Sequence, residues 1–403
     1  MKITKEEQEI LQGKLGEGMQ KALELQVALG EAFDAERFVD VSRTHVALSG
    51  QEGDTYWCEL LVKGGAKCKV PCTTNPAWDT KTLTQYYGVT QDELELVKRT
   101  YDVYTKIGAV MSLSCTPELQ QNVPAFGEVV AFSESSCTPY VNSVLGARSN
   151  RESSVSALAA AVTGKTPLYG LMFDENRRGT MVIEVEEAPK DAYDWGLLGY
   201  NAGRIIEKDV PVFVFKKIDG RPTPESLLYF GAELNTSGAV PMYHIVGVTP
   251  EAPDLESALR GNKPTRTAYI SNEDIREEEK KISEEGGKIN LVMLGCPHYT
   301  LDQVMELERL MDNRKSSVPF WVLVSEATLS LAKRNESFYR LAECGVNLVA
   351  ETCIDEPCFK SFEGGLGLTD SPKCAYYRER RGQPFVLRRL SECVEGAIKG
   401  EVK

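Results

Sequence analysis

The sequence predicts an α/β protein of more than one packed subdomain, on three observations. Between residues 287 and 355, short apolar runs alternate with amphipathic helical patterns in the order strand, helix, strand, helix, strand. Such alternation is how a parallel sheet with helical crossovers reads. At 403 residues the chain is longer than one hydrophobic core accommodates, so two or three subdomains follow. No Pro/Ser linker, internal repeat or low-complexity segment separates the regions, which places the subdomains against one another around a shared cleft.

Taken in order, residues 4–29 set Thr4 ahead of Glu6 and Glu7. Ile10, Leu11, Leu15, Met19, Ala22, Leu23, Leu25 and Val27 follow at helical spacing, which predicts one amphipathic helix. Residues 39–49 alternate like a strand and run into Gly50 and a polar turn. From about 65 to 152 the chain is rich in Pro, Asn, Thr, Ser and Gly, with a helix over residues 91–107. Long structured loops of this kind commonly serve a site. Residues 153–162 read as an Ala-rich helix, and 181–185, 210–215 and 240–248 as strands. Strand 289–294, helix 300–312, strand 319–325, helix 327–343 and strand 346–350 complete the pattern. The expected partition groups 1–65 with 360–403, makes 66–285 a loop-rich substrate and metal subdomain, and makes 286–359 a parallel βαβαβ subdomain.

Composition narrows the function. Hydrophobic residues are 42% and charged residues 26%. No run approaches the roughly 18 apolar residues of a membrane span, and Met1-Lys-Ile-Thr-Lys-Glu-Glu has no apolar signal core. A cytoplasmic protein without a membrane partner is expected. Lys plus Arg total 46 against 59 Asp plus Glu, a net charge of -13. That balance disfavours nucleic acid and leaves room for a local basic pocket around a small anion. Eleven cysteines, irregularly spaced, do not form the disulfide framework of a small secreted protein.

Two of those cysteines follow buried strands, in Leu291-Val-Met-Leu-Gly-Cys296-Pro-His298 and Asn347-Leu-Val-Ala-Glu-Thr-Cys353. In an open α/β sheet the carboxyl ends of strands face the binding crevice. A third, Cys115, opens a Cys-Thr-Pro turn in the loop-rich stretch. Three thiolates hold an iron–sulfur cluster while leaving one iron open to substrate or water; three ordinary buried thiols give the same spacing. Cys58, Cys68, Cys72, Cys353 and Cys358 permit zinc groupings, though none has the paired Cys-x-x-Cys form. Cys296 with His298 or His244 offers a Cys/His nucleophile, although neighbours on one loop seldom face each other.

Two further segments carry polar chemistry. Within 133–152, Asn142, Arg148, Asn150 and Arg151 suit a carboxylate or phosphate, because guanidinium forks bind such anions bidentately. The same segment also reads as a solvated loop capping the Ala-rich helix. In 236–251, the Ser237-Gly238 turn precedes an apolar run that carries His244. Its N–H groups could face an anion, and the histidine serves either a site or the core.

In this order the segments resemble the large subunit of aconitase X, over nearly the whole chain. The resemblance rests on Ile10-Leu-Gln-Gly13, Thr44-His45-Val46, Val70-Pro-Cys-Thr-Thr-Asn75-Pro76, Cys115-Thr-Pro117 and Gly127-Glu128. It continues through Ser133-Glu-Ser-Ser136, Asn142-Ser143 to Glu152, Ser237-Gly-Ala-Val240 and His244-Ile-Val-Gly-Val-Thr-Pro-Glu251. Gly295-Cys-Pro-His298, Thr352-Cys353 and Ser371-Pro-Lys373 complete it.

The resemblance implies an aconitase-like fold of three packed α/β subdomains around a central cleft. It implies a hydro-lyase acting on a small hydroxylated acid, with an iron–sulfur cluster on Cys115, Cys296 and Cys353 as Lewis acid for the departing hydroxide. Substrate would be held by Ser135, Ser136, Asn142, Ser143, Arg148, Asn150, Arg151, Ser237, His244 and Lys373. A small swivelling part, fused or a separate subunit, would bring the serine base and make the enzyme a heteromer. Cis-3-hydroxy-L-proline is the expected substrate and mevalonate 5-phosphate the alternative; a cluster-free anion-binding or regulatory protein is the reading from another class. Two departures stand out. Cys72-Thr73-Thr74 replaces the family's Thr-Thr-Leu before Asn75-Pro76, and Cys137-Thr138-Pro139 repeats the Cys115 turn. Cys115 is at the family's Cys-Thr-Pro position and is taken as the ligand.

Overall fold

Gly13 and Gly16, both at positive φ, break the expected opening helix into Lys5–Leu11 and Glu17–Ala32. The first helix starts at a capping box between Thr4 and Glu7. The computed structural model describes residues 1–403 apart from 49–50, 84–88, 217, 219 and 363, so the end of the expected 39–49 strand and the Gly50 turn lie outside the described residues. Within that stretch are two short strands. Phe38–Asp40 pairs antiparallel with Lys165–Pro167, and Thr44–Val46 is the centre of a parallel three-stranded sheet between Cys72–Thr74 and Ala131–Phe132. The Gln91–Ile107 helix has the bounds read from sequence, set by a Thr90/Glu93 capping box and left-handed Gly108. The Ala-rich Ser154–Thr163 helix is buried, its small side chains packing with the Glu17–Ala32 helix and the Thr44–Val46 strand.

The middle of the chain forms a four-stranded parallel sheet in the order His244–Ile245, Pro211–Phe215, Met181–Val185, Arg266–Ile270. The expected 240–248 strand contracts to two residues. Pro241 has no N–H to offer a ladder, and a turn at Gly247 (φ 76°) brings the N–H groups of Val248 and Thr249 back to the Ile245 carbonyl. Helices Ala192–Ile206 and Pro224–Gly238 pack together beside the sheet.

The C-terminal third is a parallel five-stranded sheet in the order Val346–Val349, Phe320–Val324, Leu291–Tyr299, Gly367–Thr369, Phe385–Leu387. Its two long strands, Leu291–Tyr299 and Phe320–Val324, are buried along their whole length, as in parallel sheets covered on both faces. The expected 327–343 helix divides into Glu326–Arg334 and Ser337–Glu343 at left-handed Glu336. The grouping of 360–403 with 1–65 is corrected by the strand pairing. Gly367 and Leu368 bond beside Leu291 and Val292, and Leu368, Val386 and Val394 share one core with Val292, Leu294 and Phe320. The last forty residues therefore complete the sheet begun at Leu291. No helix among the described residues is long and apolar enough to cross a membrane.

Candidate active site

The ladder between Leu291–Tyr299 and Phe320–Val324 stays in register to Leu294 and resumes only at Tyr299. The bulge between them holds Gly295 (φ 92°), Cys296, Pro297 after a cis peptide, and His298. Glycine is required here: a Cβ at 295 would be 2.2 Å from the Leu323 carbonyl oxygen. Cys353 follows the Val346–Val349 strand in a loop that its N–H ties to the Ala77 carbonyl at 2.9 Å. The Asp79 N–H donates to the Thr352 hydroxyl at 3.0 Å in the same tether. Cys115 comes from the other side of the cleft, on a turn held by the Ser114 N–H to the Thr74 carbonyl. The His298 N–H donates to Cys115 Sγ at 3.3 Å, directly linking the two sides.

The three thiols line one cavity of about 180 Å3 together with Asn75, Glu134, Ser135, His298, Thr352, Asp355, Lys373 and Tyr377. Burial pushes the thiols of Cys115 and Cys296 well above the ordinary range and that of Cys353 to about 12. Lys373 pulls Cys115 and Cys296 the other way. Burial also opposes the charge on Glu134, but Lys373, the Asn75 amide and the Ser136 N–H and hydroxyl bring its pKa down to about 2. Lys373, penalised by the same burial, is held above the usual lysine range chiefly by Glu134. Its ammonium is 3.4 Å from Glu134 Oε1 and donates to Ser135 Oγ at 2.9 Å. The His298 ring is kept neutral by burial, with a pKa of about 4. Its Nε2 donates to the Thr352 carbonyl at 2.9 Å, leaving Nδ1 as an acceptor.

Among the described residues no three His, Cys, Asp or Glu side chains converge to hold a single metal ion. A cluster asks for a different arrangement, thiols spread around a cavity and each meeting a different iron. Cys115, Cys296 and Cys353 fit that demand, with a lysine nearby to favour thiolate. Cys137 does not line the cavity; it is buried with Val130, Phe132, Val141 and Ala147 and is next to Glu118. Cys58, Cys68 and Cys72 belong to the core of the first region, and Cys358 to the apolar cluster beneath the cavity.

Of the substrate-binding residues expected from the sequence, Ser135 and Lys373 line the cavity, and Ser136 supports it from behind through Glu134. The others are elsewhere. Asn142 donates to the carbonyls of Ser149 and Pro241, and Ser143 accepts the Tyr243 N–H. Arg148 donates to the Met172 carbonyl and pairs with Asp174. Asn150 is fixed between Tyr169 and Leu171. Exposed Arg151 reaches the Ala239 carbonyl at 3.3 Å. Ser237 donates to its own helix at Glu233, and His244 Nε2 to the Arg177 carbonyl at 2.7 Å. Most of these side chains bond to the backbone, and Asn142, Ser143 and Arg151 thereby join the first region to the middle one. Sequence reasoning passed over Asn75, Glu134, His298 and Tyr377 as binding residues. Three of them are in quoted motifs, but only pairing across the fold gives them a role.

Three α/β regions with parallel sheets, the first and last of them lining a thiol-bearing cavity and the middle one bracing its wall, define an aconitase-like protein. Models of the aconitase X first, second and third domains match residues 1–175, 179–280 and 289–399, and the chain belongs to the aconitase X family. It is 36% identical, over 93% of each chain, to the phosphomevalonate dehydratase large subunit of Methanothermobacter thermautotrophicus. With that of Thermococcus kodakarensis it shares 34% over 94% of this chain and 95% of the relative. With the cis-3-hydroxy-L-proline dehydratase of Pseudomonas aeruginosa it shares 32%, over 98% of this chain and 69% of that protein. The crystal structure of Thermococcus kodakaraensis aconitase X in its holo form superposes with a TM-score of 0.89 at 30% identity, covering 98% of this chain and all of that one. The matched domains follow the three-, four- and five-stranded parallel sheets.

Proposed function

We propose that this chain is the large subunit of a dehydratase that eliminates water from a small hydroxy acid, with an iron–sulfur cluster held by Cys115, Cys296 and Cys353. The observation that carries the reading is the convergence of those three thiols with the Lys373–Glu134 pair on one buried cavity. When bound, such a cluster supplies a Lewis acid that eases the loss of hydroxide. The chain's own residues supply placement. Lys373, kept charged by Glu134, meets the substrate's carboxylate, and Ser135 fixes the ammonium's direction. Neutral His298 offers Nδ1 as an acceptor at the cavity wall, and the buried walls exclude bulk water. The base that takes the proton from the neighbouring carbon comes from a small-subunit partner, a reading supported by relatives named as large subunits.

Among the described residues lining the cavity, Lys373 is the only cation, and Glu134 and Asp355 are on the same walls. That balance favours a zwitterionic amino acid, cis-3-hydroxy-L-proline, over a phosphorylated acid. Mevalonate 5-phosphate is the second reading, favoured by the 34% and 36% identities to phosphomevalonate dehydratase large subunits. The test is anaerobic reconstitution with iron and sulfide, addition of an aconitase X small subunit, and assay on both acids. Turnover of cis-3-hydroxy-L-proline is expected. Turnover of mevalonate 5-phosphate alone would overturn the substrate, and a chain that takes up no iron and dehydrates neither acid would overturn the function.

A further inference from the structure

The hydrogen bonds reaching Glu134 from behind leave one possible orientation for each partner. An ionised carboxylate only accepts, so the Asn75 group facing Glu134 Oε2 is its Nδ2 amide. Asn75 Oδ1 must then face His45 Nε2, 2.7 Å away. An amide oxygen also only accepts, so the His45 proton is on Nε2, and Nδ1 accepts from the Thr73 hydroxyl at 2.8 Å. His45 is fully buried on the Thr44–Val46 strand, directly across from Thr73 in the parallel ladder. It does not line the cavity, and burial keeps its ring neutral. A fully buried imidazole with both nitrogens committed to one chain of bonds does more than fill space.

We propose that His45 is a positioning residue for the dehydration: its Nε2–H fixes the Asn75 amide, Asn75 fixes Glu134, and Glu134 holds the Lys373 ammonium where the substrate's carboxylate docks. This deepens the proposed function and rests on it for what Lys373 meets. Without the His45 donor, the Asn75 amide is free to turn its oxygen toward the carboxylate. Glu134 Oε2 would then lose its partner, while Ser135, Ser136 and Lys373 all gather on Oε1. The ammonium loses direction rather than charge, so the damage falls on substrate binding.

The test uses the reconstituted two-subunit enzyme with His45→Gln, His45→Asn and His45→Phe, assayed below their melting temperatures. The glutamine amide nitrogen reaches the place of Nε2, whereas the asparagine amide reaches only that of Nδ1. The expected result is a KM raised roughly tenfold or more in the Asn and Phe variants, the weight of one hydrogen bond to a charge network. The change in kcat should be smaller, and Gln should recover most of the loss. Equal damage from Gln and Asn, or no damage from Phe, would overturn the role. A readout independent of activity is the 15N spectrum of the histidine-labelled chain, which has three histidines to assign. A neutral Nε2–H ring is expected for His45, and an Nδ1–H ring would overturn the inference. If the wild type turned over neither acid, the function would fail, and the tautomer would still decide whether His45 is placed as described.

Discussion

At the scale of single residues, the two Cys-Thr-Pro turns separate by what surrounds each thiol. Cys115 lines the cavity and accepts the His298 N–H, whereas Cys137 is closed off among apolar side chains. Cys115→Ser is therefore expected to abolish iron retention after anaerobic reconstitution, and Cys137→Ser to retain iron per chain at the wild-type level. Iron loss in Cys137→Ser with retention in Cys115→Ser would reverse the assignment. Next to Cys137, burial raises the Glu118 carboxyl to about 8, more than the neighbouring thiol lowers it. Glu118 thus keeps its proton in the folded chain up to about pH 8, while in the unfolded chain it loses it near the ordinary carboxyl value of about 4.3. The unfolded state binds fewer protons across that window, so this group's contribution to stability is full below it and is lost as pH rises through it. Glu118→Gln should melt higher than the wild type at pH 8, with the gap closing toward pH 5. A gap that widens on acidification would contradict the buried neutral acid. That three cysteines would meet at one cavity was readable from sequence because each ends a strand or opens a turn, which are local signals. Glu134 and its partners were not, since Asn75 is 59 and Lys373 is 239 residues away along the chain.

At the scale of elements, helices Ala192–Ile206 and Pro224–Gly238 approach closely enough that glycines decide the contact. A Cβ at Gly199 would be 2.4 Å from the Phe230 carbonyl oxygen, and one at Gly203 would be 2.0 Å from Ser237 Oγ. Ser237 is thus a packing residue, and its hydroxyl faces a helix instead of an anion. Gly196, one turn earlier, has its nearest neighbour at 3.5 Å, in ordinary contact. Alanine gains up to about 1 kcal/mol over glycine in a helix interior, and overpacking costs about 1–3 kcal/mol. At Gly199 the clash with rigid backbone wins, so Gly199→Ala should lower the melting temperature; Gly196→Ala should leave it unchanged or raise it. The same shift in both would mean that the helices yield where the contact looks tight. Among the elements, three of the five parallel strands of the last third, Leu291–Tyr299, Phe320–Val324 and Val346–Val349, were legible as largely apolar runs between amphipathic helices, whereas Gly367–Thr369 and Phe385–Leu387 were too short to read. Arg266–Ile270 was not legible either: it is an edge strand, exposed along most of its length, and lacks the apolar run that marks its neighbours.

At the scale of the whole molecule, the cavity is a joint between regions. Asn75, Cys115, Glu134 and Ser135 come from the part matching the first domain, and Cys296, His298, Cys353 and Lys373 from the part matching the third. Among the described residues the middle region adds none to the lining, but Asn235 donates to the Ser135 carbonyl at 2.6 Å and Glu233 accepts from Ser371 at 3.0 Å, bracing one wall from each side. A cluster held by Cys115 on one side and by Cys296 and Cys353 on the other would bind the joined arrangement and not the unfolded chain. Ligands of that kind stabilise by mass action, and a ligand at 100 times its dissociation constant adds about 2.7 kcal/mol. Removing iron with a chelator under anaerobic conditions should lower the melting temperature. It should also speed amide hydrogen exchange in two separated stretches, around Ser114–Thr116 and around Thr352–Ile354, whose backbone is anchored at the joint. The Leu301–Met311 helix, which lines no part of the cavity and packs chiefly with the Ser337–Glu343 and Leu390–Lys399 helices, serves as the internal reference and should exchange at an unchanged rate. Faster exchange in only one of the two stretches would mean that the cluster belongs to one region, and an unchanged melting temperature would mean that it does not join them.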